Sequence, residues 1–177
     1  MEKVMLSNGL ELPKLGMGVL TMRDDQEFDA AFKAALDAGY QLFDTAQSYG
    51  NEQLLGNAIK KLGVARDKVF ITTKLKIVNC TYENARASVE ESLKKLQSDY
   101  IDMLLIHHPY NDIYGAWRAM EEMYREGKLR AIGISNFQPD RFAAFMLFTN
   151  IKPMMHQVQI NPYFQQNKLV RLTQKRV

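Results

Sequence analysis

Leu42-Phe43-Asp44-Thr45-Ala46-Gln47-Ser48-Tyr49 starts as a short apolar strand, breaks at a carboxylate and ends in a polar loop that carries a tyrosine. The same design recurs along the chain. Val69–Leu75 is an apolar run broken by Lys74, Ile101–Pro109 ends in His107 and His108, and Ala131–Asn136 ends in Ser135 and Asn136. A parallel strand covered on both faces reads as a near-continuous hydrophobic run, so a polar group at its C-terminal end needs a reason. The C-terminal ends of successive parallel strands converge on one face of a barrel. Asp44, Tyr49, Lys74 and His107 are therefore expected to form one site, built from three neighbouring strands.

Helical patterns lie between these runs. Asp24 with Glu27 three positions on has the form of a capping box with Asp as the cap. Phe28, Ala31, Phe32, Ala35 and Leu36 then fall on one helical stripe, and Gly39 suits the left-handed position that ends it. Further helices are expected over 51–62, 82–97 and 113–126, from Pro139 onward with Phe142, Phe145 and Met146 buried, and from Asn167 to Val177. Strands are expected over 15–20, 42–46, 69–75, 101–107, 129–135 and 154–160. Ahead of them, residues 3–14 read as a hairpin turning at Asn8-Gly9 and stopped by Pro13. Gly16 and Gly18 would let the first barrel strand approach its neighbour closely. Asp44, Lys74, His107 and Asn136 are 30, 33 and 29 positions apart, one strand–helix unit each. Strict alternation implies a parallel sheet, barrel or doubly wound. The barrel is favoured, because a doubly wound sheet concentrates its site at one switch point. The expected fold is α/β, an incomplete parallel barrel of about six strand–helix units with an N-terminal hairpin, in a single domain over residues 1–177.

An apolar content of 46% and a charged content of 24% are those of an ordinary globular protein. A net charge of +3 does not argue for nucleic acid. No apolar run approaches the ~20 residues that span a bilayer, and the N-terminus lacks the apolar core of a signal peptide. The lone Cys80 fits a reducing compartment. A cytoplasmic location is the expectation, with no membrane or nucleic-acid partner.

Each site residue has a bland alternative. Asp44 alone would cap a turn, and Lys74 alone would snorkel outward. One strand apart they are expected to pair, because a lysine inside an apolar strand otherwise loses its charge. Tyr49 alone is a loop aromatic. Beside a lysinium its phenol, with an ordinary pKa of ~10, is expected to fall and to serve as a general acid toward a carbonyl oxygen. His107 reads as a neutral imidazole that orients the same carbonyl, or as a satisfied strand-end histidine. A metal role for His107 and His108 is discounted, since the only other histidine is His156 and there is no cluster of Cys. Ser135, Asn136 and Gln157 offer a hydroxyl and two amides that suit a planar carboxamide; an ordinary turn explains them equally well. Gly16-x-Gly18 lacks the remainder of the dinucleotide fingerprint, so a Rossmann site is not supported. Lys168, Arg171, Lys175 and Arg176 read as a solvated helix face. A Schiff-base role for Lys74 would need a neutral amine, which pairing with Asp44 opposes.

Five ordered motifs, Gly39–Glu52, Ile71–Leu75, Asp102–Pro109, Gly133–Phe137 and Gln157–Pro162, resemble those of the aldo-keto reductases over essentially the whole chain. The resemblance implies a TIM-type barrel that binds NADPH (NADP+) without a Rossmann fold and reduces small aldehydes or ketones. It implies Tyr49 as proton donor, Lys74 and Asp44 as the groups that lower its pKa, and His107 as the group that orients the carbonyl. Asp44, Ser135, Asn136 and Gln157 match cofactor-binding positions, and Leu20, His107 and His108 match substrate-binding ones. The family usually has Trp where His108 stands and often where Leu20 stands. It also has eight strand–helix units, so the basic loop for the adenosine 2′-phosphate is expected to lie outside this sequence. Unpaired outer strands imply low stability, self-association or completion by another polypeptide. The rival reading is an inactive partial barrel that only binds partners, or a non-functional fragment.

Overall fold

A computed structural model describes residues 1–174. An antiparallel hairpin, β1 (Lys3–Met5) with β2 (Glu11–Pro13), precedes the sheet. Its turn lies where Asn8-Gly9 predicts, and the Asn8 Nδ2 donates to the Arg130 carbonyl at 2.9 Å, which fastens the hairpin across the N-terminal end of the sheet. Six parallel strands follow in the order β3 (Gly16–Gly18), β4 (Leu42–Asp44), β5 (Phe70–Leu75), β6 (Met103–Ile106), β7 (Ile132–Ser135) and β8 (His156–Gln157). A helix follows each: α1 (Asp25–Asp37), α2 (Glu52–Lys61), α3 (Tyr82–Leu96), α4 (Ile113–Arg125), α5 (Pro139–Leu147) and α6 (Asn167–Gln174). This is an incomplete TIM-type barrel, in which β3 and β8 each have one strand neighbour.

Pattern and structure agree closely at the helices. Asp24 caps α1, accepting from the backbone amides of Gln26 and Glu27 at 2.9 Å each. Phe28, Phe32 and Ala35 are buried, and Gly39 takes a φ of +87°. Ala85, Val89, Leu93 and Leu96 of α3 are buried, as are Phe142, Phe145 and Met146 of α5. The expected helix at Asn167–Val177 is present to Gln174; residues 175–177, with Lys175 and Arg176, lie outside the described residues.

The outer strands are shorter than the apolar runs suggest. Of the 154–160 run, His156 and Gln157 are in register with β7. The Met154 amide donates to the Ile132 carbonyl and the Met155 carbonyl accepts from the Ile134 amide, at 2.9 Å each, while residues 158–160 do not pair with β7. The reason is that the neighbour turns away: Asn136, the residue after β7, has a φ of +62°, and the Gln159 carbonyl accepts instead from Gln166 Nε2 at 3.1 Å. At the other edge Gly16 is needed where β3 meets β4, since a Cβ there would lie 2.5 Å from the Leu42 Cδ2. Gly18 has open space around it, and the close-approach expectation fails at that position.

The N-terminal end of the sheet holds an ionic cluster with no counterpart in the strand-end reading. Asp102 is buried (1% exposed). It accepts from Arg66 Nη2 at 2.7 Å, Arg130 Nη1 at 2.8 Å and the Ile71 backbone amide at 2.9 Å. Arg66 also lies 4.2 Å from the Tyr100 ring centre. Removing the carboxylate leaves two guanidinium groups and an amide without this acceptor, so Asp102→Ala is expected to cost about 3 kcal/mol. Urea unfolding checks this.

Candidate active site

Parallel register brings the strand-end groups to one level. Asp44 stands opposite Thr72, Lys74 opposite Leu105, and Ser135 opposite Gln157. The His107 amide reaches the Leu75 carbonyl at 3.4 Å, which places His107 just past the end of β6. Tyr49 follows β4 on a single 3-10 turn, Gln47–Tyr49, closed by Gly50 at φ +72°.

Lys74 is the centre of the cluster and is 2% exposed. Its ammonium donates to Asp44 Oδ1, to the Thr45 carbonyl at 3.0 Å and to the Tyr49 hydroxyl at 3.5 Å. An ammonium has three protons, and here each has an acceptor. Burial draws the Lys74 pKa below its ordinary value, and the Asp44 carboxylate opposes that fall. A buried charge of this kind persists only when paired and hydrogen-bonded.

Tyr49 departs from expectation. Its phenol pKa lies above the ordinary value, raised first by burial and then by the Asp44 carboxylate. Asp44 is bonded to the same ammonium, so its charge cancels much of the lysinium field at the phenol. What Lys74 does give Tyr49 is direction. A hydroxyl that accepts from Nζ keeps its own proton for another acceptor.

His107 meets the Tyr49 ring edge-on, with ring centres 5.7 Å apart, and stacks on His108 at 4.5 Å. Its Nδ1 lies 3.3 Å from the Ser48 Oγ. Burial, then His108 and Lys74, hold its pKa down at about 4. The ring is thus neutral in ordinary buffers, as the sequence reading expects. Tyr110 extends the stack beyond His108 at 6.2 Å. Leu20 sits just past β3, on the rim shared with Asp44, and is exposed.

Ser135, Asn136 and Gln157 also gather here, but they are already engaged. Asn136 Nδ2 donates to the His107 carbonyl at 2.9 Å and to Ser135 Oγ at 3.1 Å. Gln157 Nε2 donates to Asp44 Oδ2 at 2.8 Å. That last bond joins the second and sixth sheet strands across the open side, so the sheet is strongly curled. The oxygens of the Asn136 and Gln157 amides have no protein donor among the described hydrogen bonds. Together with the Ser135 hydroxyl they present acceptors and one donor, a set that a planar carboxamide can meet.

Among the described residues no group of three or more His, Cys, Asp or Glu could hold a metal ion. His156 lies apart, with its Nδ1 3.1 Å from Thr173 Oγ1 and its ring 5.3 Å from that of Phe142. No described helix is long and apolar enough to cross a membrane. Two residues that the strand-end rule overlooks, Gln47 and Ser48, touch this site's framework; both lie in the quoted loop, but a polar loop residue carries no pattern that separates a structural amide from a solvated one.

The arrangement has parallels among known proteins. A family model described as "Aldo/keto reductase family" matches residues 14–176. The glyoxal reductase of Bacillus subtilis (strain 168) is 43% identical over 169 residues, which cover 95% of this chain and 61% of that protein. A crystal structure of an aldo/keto reductase from Brucella melitensis superposes with a TM-score of 0.93 at 37% identity, covering 98% of this chain and 69% of that one. A Bombyx mori aldo-keto reductase in complex with NADP does so at 0.88 and 30% identity, covering 98% and 63%. The chain thus spans about three fifths of the curated relative's length.

The neutral His107 gives a direct check. Its free-state value is 6.5 and its folded value about 4, so the native state binds fewer protons between them and this group costs stability as pH falls through that window. Imidazole 15N NMR is expected to show no titration of His107 from roughly pH 8 to 5. A midpoint at or above the free value contradicts the burial described.

Proposed function

The chain belongs to the aldo/keto reductase family, and on that footing we propose that it reduces small aldehydes and ketones to alcohols with NADPH, residues 1–177 acting as one domain in the cytoplasm. The observation that carries this reading is the buried Lys74 ammonium, held by Asp44 and aimed at the Tyr49 hydroxyl. The name of the Bacillus relative and the NADP complex of the Bombyx neighbour support a small dicarbonyl substrate and this cofactor.

The nicotinamide, when bound, supplies hydride to the carbonyl carbon. Asn136, Gln157 and the Ser135 hydroxyl are the groups that would hold its carboxamide. The proton for the carbonyl oxygen comes from Tyr49. A pKa above the ordinary value keeps that phenol protonated in the resting site, so the acid is always loaded. As negative charge grows on the substrate oxygen, the phenol proton moves to it. The phenolate left behind then lies against the Lys74 ammonium. His107, neutral, donates an N–H to the same oxygen and fixes its position. His108 and Leu20 flank the substrate.

The decisive comparison is NADPH oxidation with glyoxal or methylglyoxal by the parent chain and by Tyr49→Phe. Loss of the donor is expected to reduce turnover by roughly 10²- to 10⁴-fold while leaving NADPH binding intact. Equal rates contradict the assignment of Tyr49, and a parent that binds no NADPH contradicts the activity of this chain.

The edges of β3 and β8 carry a second expectation. Each offers unpaired backbone groups, and Ile160 and Phe164 beyond β8 are more than half exposed. Self-association through these edges is proposed, with concentration-dependent mass in light scattering as its measure. A constant monomer mass over a hundredfold range, roughly, contradicts it.

A further inference from the structure

The turn that carries Tyr49 contains a residue with no part in the chemistry described above. Gln47 is two positions before Tyr49, and its side-chain amide makes four hydrogen bonds. Its Oε1 accepts from the Lys76 backbone amide at 2.9 Å and from Asn79 Nδ2 at 3.0 Å. Its Nε2 donates to Ser92 Oγ at 3.1 Å and to the Ser88 carbonyl at 3.3 Å. A primary amide has two donors and two acceptor lone pairs, so this one is saturated. No shorter, acidic or basic side chain reproduces that set.

The partners matter as much as their number. Lys76 lies two residues past Lys74, on the segment that leaves β5. Gln47 therefore ties the turn bearing Tyr49 to the strand bearing Lys74. Ser88 and Ser92 tie the same turn to α3. Behind Ser92 stands Glu52, 3% exposed, which accepts from Ser92 Oγ at 3.3 Å and from Thr73 Oγ1 at 2.7 Å. Thr73 precedes Lys74, so the network closes on β5 a second time. At the far end of the loop Asn51 accepts from Thr45 Oγ1 at 2.6 Å and donates to the Val19 carbonyl at 2.7 Å. The Tyr49 hydroxyl, by contrast, has a single protein partner among the described hydrogen bonds, Lys74 at 3.5 Å. Its position is thus set by the backbone of the turn, which Gln47 fastens toward β5 and α3 and Asn51 fastens at the other end.

The geometry points to Gln47 as a positioning residue: its amide holds the Tyr49 turn against the segments flanking Lys74 and so sets the separation of the phenol from the ammonium. The consequence for turnover rests on Tyr49 being the proton donor; the positioning itself does not. A cavity of about 200 Å³ borders the network at Gln47, Glu52 and Lys95, which gives a released turn space to move into. A displacement of about 1 Å in a reacting group costs on the order of 10²-fold in rate.

Gln47→Met keeps length and bulk and removes all four bonds. Gln47→Glu keeps the acceptors for Lys76 and Asn79 and loses the donors. Two readouts are taken on the full chain. The first is the 13Cζ NMR signal of Tyr49, assigned by its absence in Tyr49→Phe and followed through its pH titration. It is expected to move in Gln47→Met and less in Gln47→Glu, while the other tyrosines stay in place. The second is steady-state reduction of methylglyoxal, with kcat expected to fall roughly 10- to 100-fold in Gln47→Met and KM to stay within about twofold. A Tyr49 signal and titration unchanged in Gln47→Met overturn the proposal, as does loss of every tyrosine signal together, which marks general unfolding. If parent and Tyr49→Phe turn over alike, the donor assignment fails, and the Tyr49 signal alone still decides the positioning.

Discussion

A lysine that is 2% exposed must be paired, and this requirement shapes one whole end of the molecule. Lys74 sits in a strand whose six residues are all buried. Its charge is tolerable there only because Asp44 faces it from the next strand and two oxygens of the following loop complete its donor set. The parallel register of β4 and β5 supplies that placement. Had the two strands slipped by one residue, the ammonium would face outward and Asp44 would lose its partner. Pairing, register and loop path are thus one constraint seen at three levels.

The carboxylate has a second partner that extends the constraint around the sheet. Gln157 donates to the other oxygen of Asp44 from β8, the outermost strand of the opposite side. A flat sheet of six strands would hold these groups far apart, since neighbouring strands are about 4.8 Å apart. The bond therefore marks strong curling, and it brings the ends of β4, β5, β6, β7 and β8 around one centre. The ionic cluster at Asp102 acts at the other end of the same sheet, where the hairpin also attaches through Asn8. One end of the barrel is built for stability, and the other carries the reactive groups, as parallel barrels generally divide them.

Much of this is legible in the sequence. The apolar runs located all six sheet strands, and their polar ends named Asp44, Lys74 and His107 as neighbours. That worked because burial on both faces makes a polar interruption conspicuous. The strand ends at β8 are not legible, because pairing depends on where the neighbour turns, and an Asn such as Asn136, though it tolerates the left-handed region better than most residues, adopts it only at some of its positions. The direction of the Tyr49 pKa is not legible for a related reason. A lysinium near a phenol lowers its pKa, but burial and the Asp44 charge act the other way, and their balance is set by distances that spacing does not contain. Gln47 is the clearest omission. Four partners drawn from Lys76, Asn79, Ser88 and Ser92 make it structural, and no one of those contacts is visible from the loop itself.

The ionisation of Lys74 underlies both the pairing and the chemistry derived from it. It can be read directly from the 15Nζ resonance of Lys74 near neutral pH, assigned with Lys74→Met. An ammonium shift, with three slowly exchanging protons protected by Asp44, Thr45 and Tyr49, is the expected result. An amine shift would mean that burial has prevailed over the carboxylate. The tyrosine would then lose its stabilising cation, and a neutral Lys74 would instead be competent for imine chemistry.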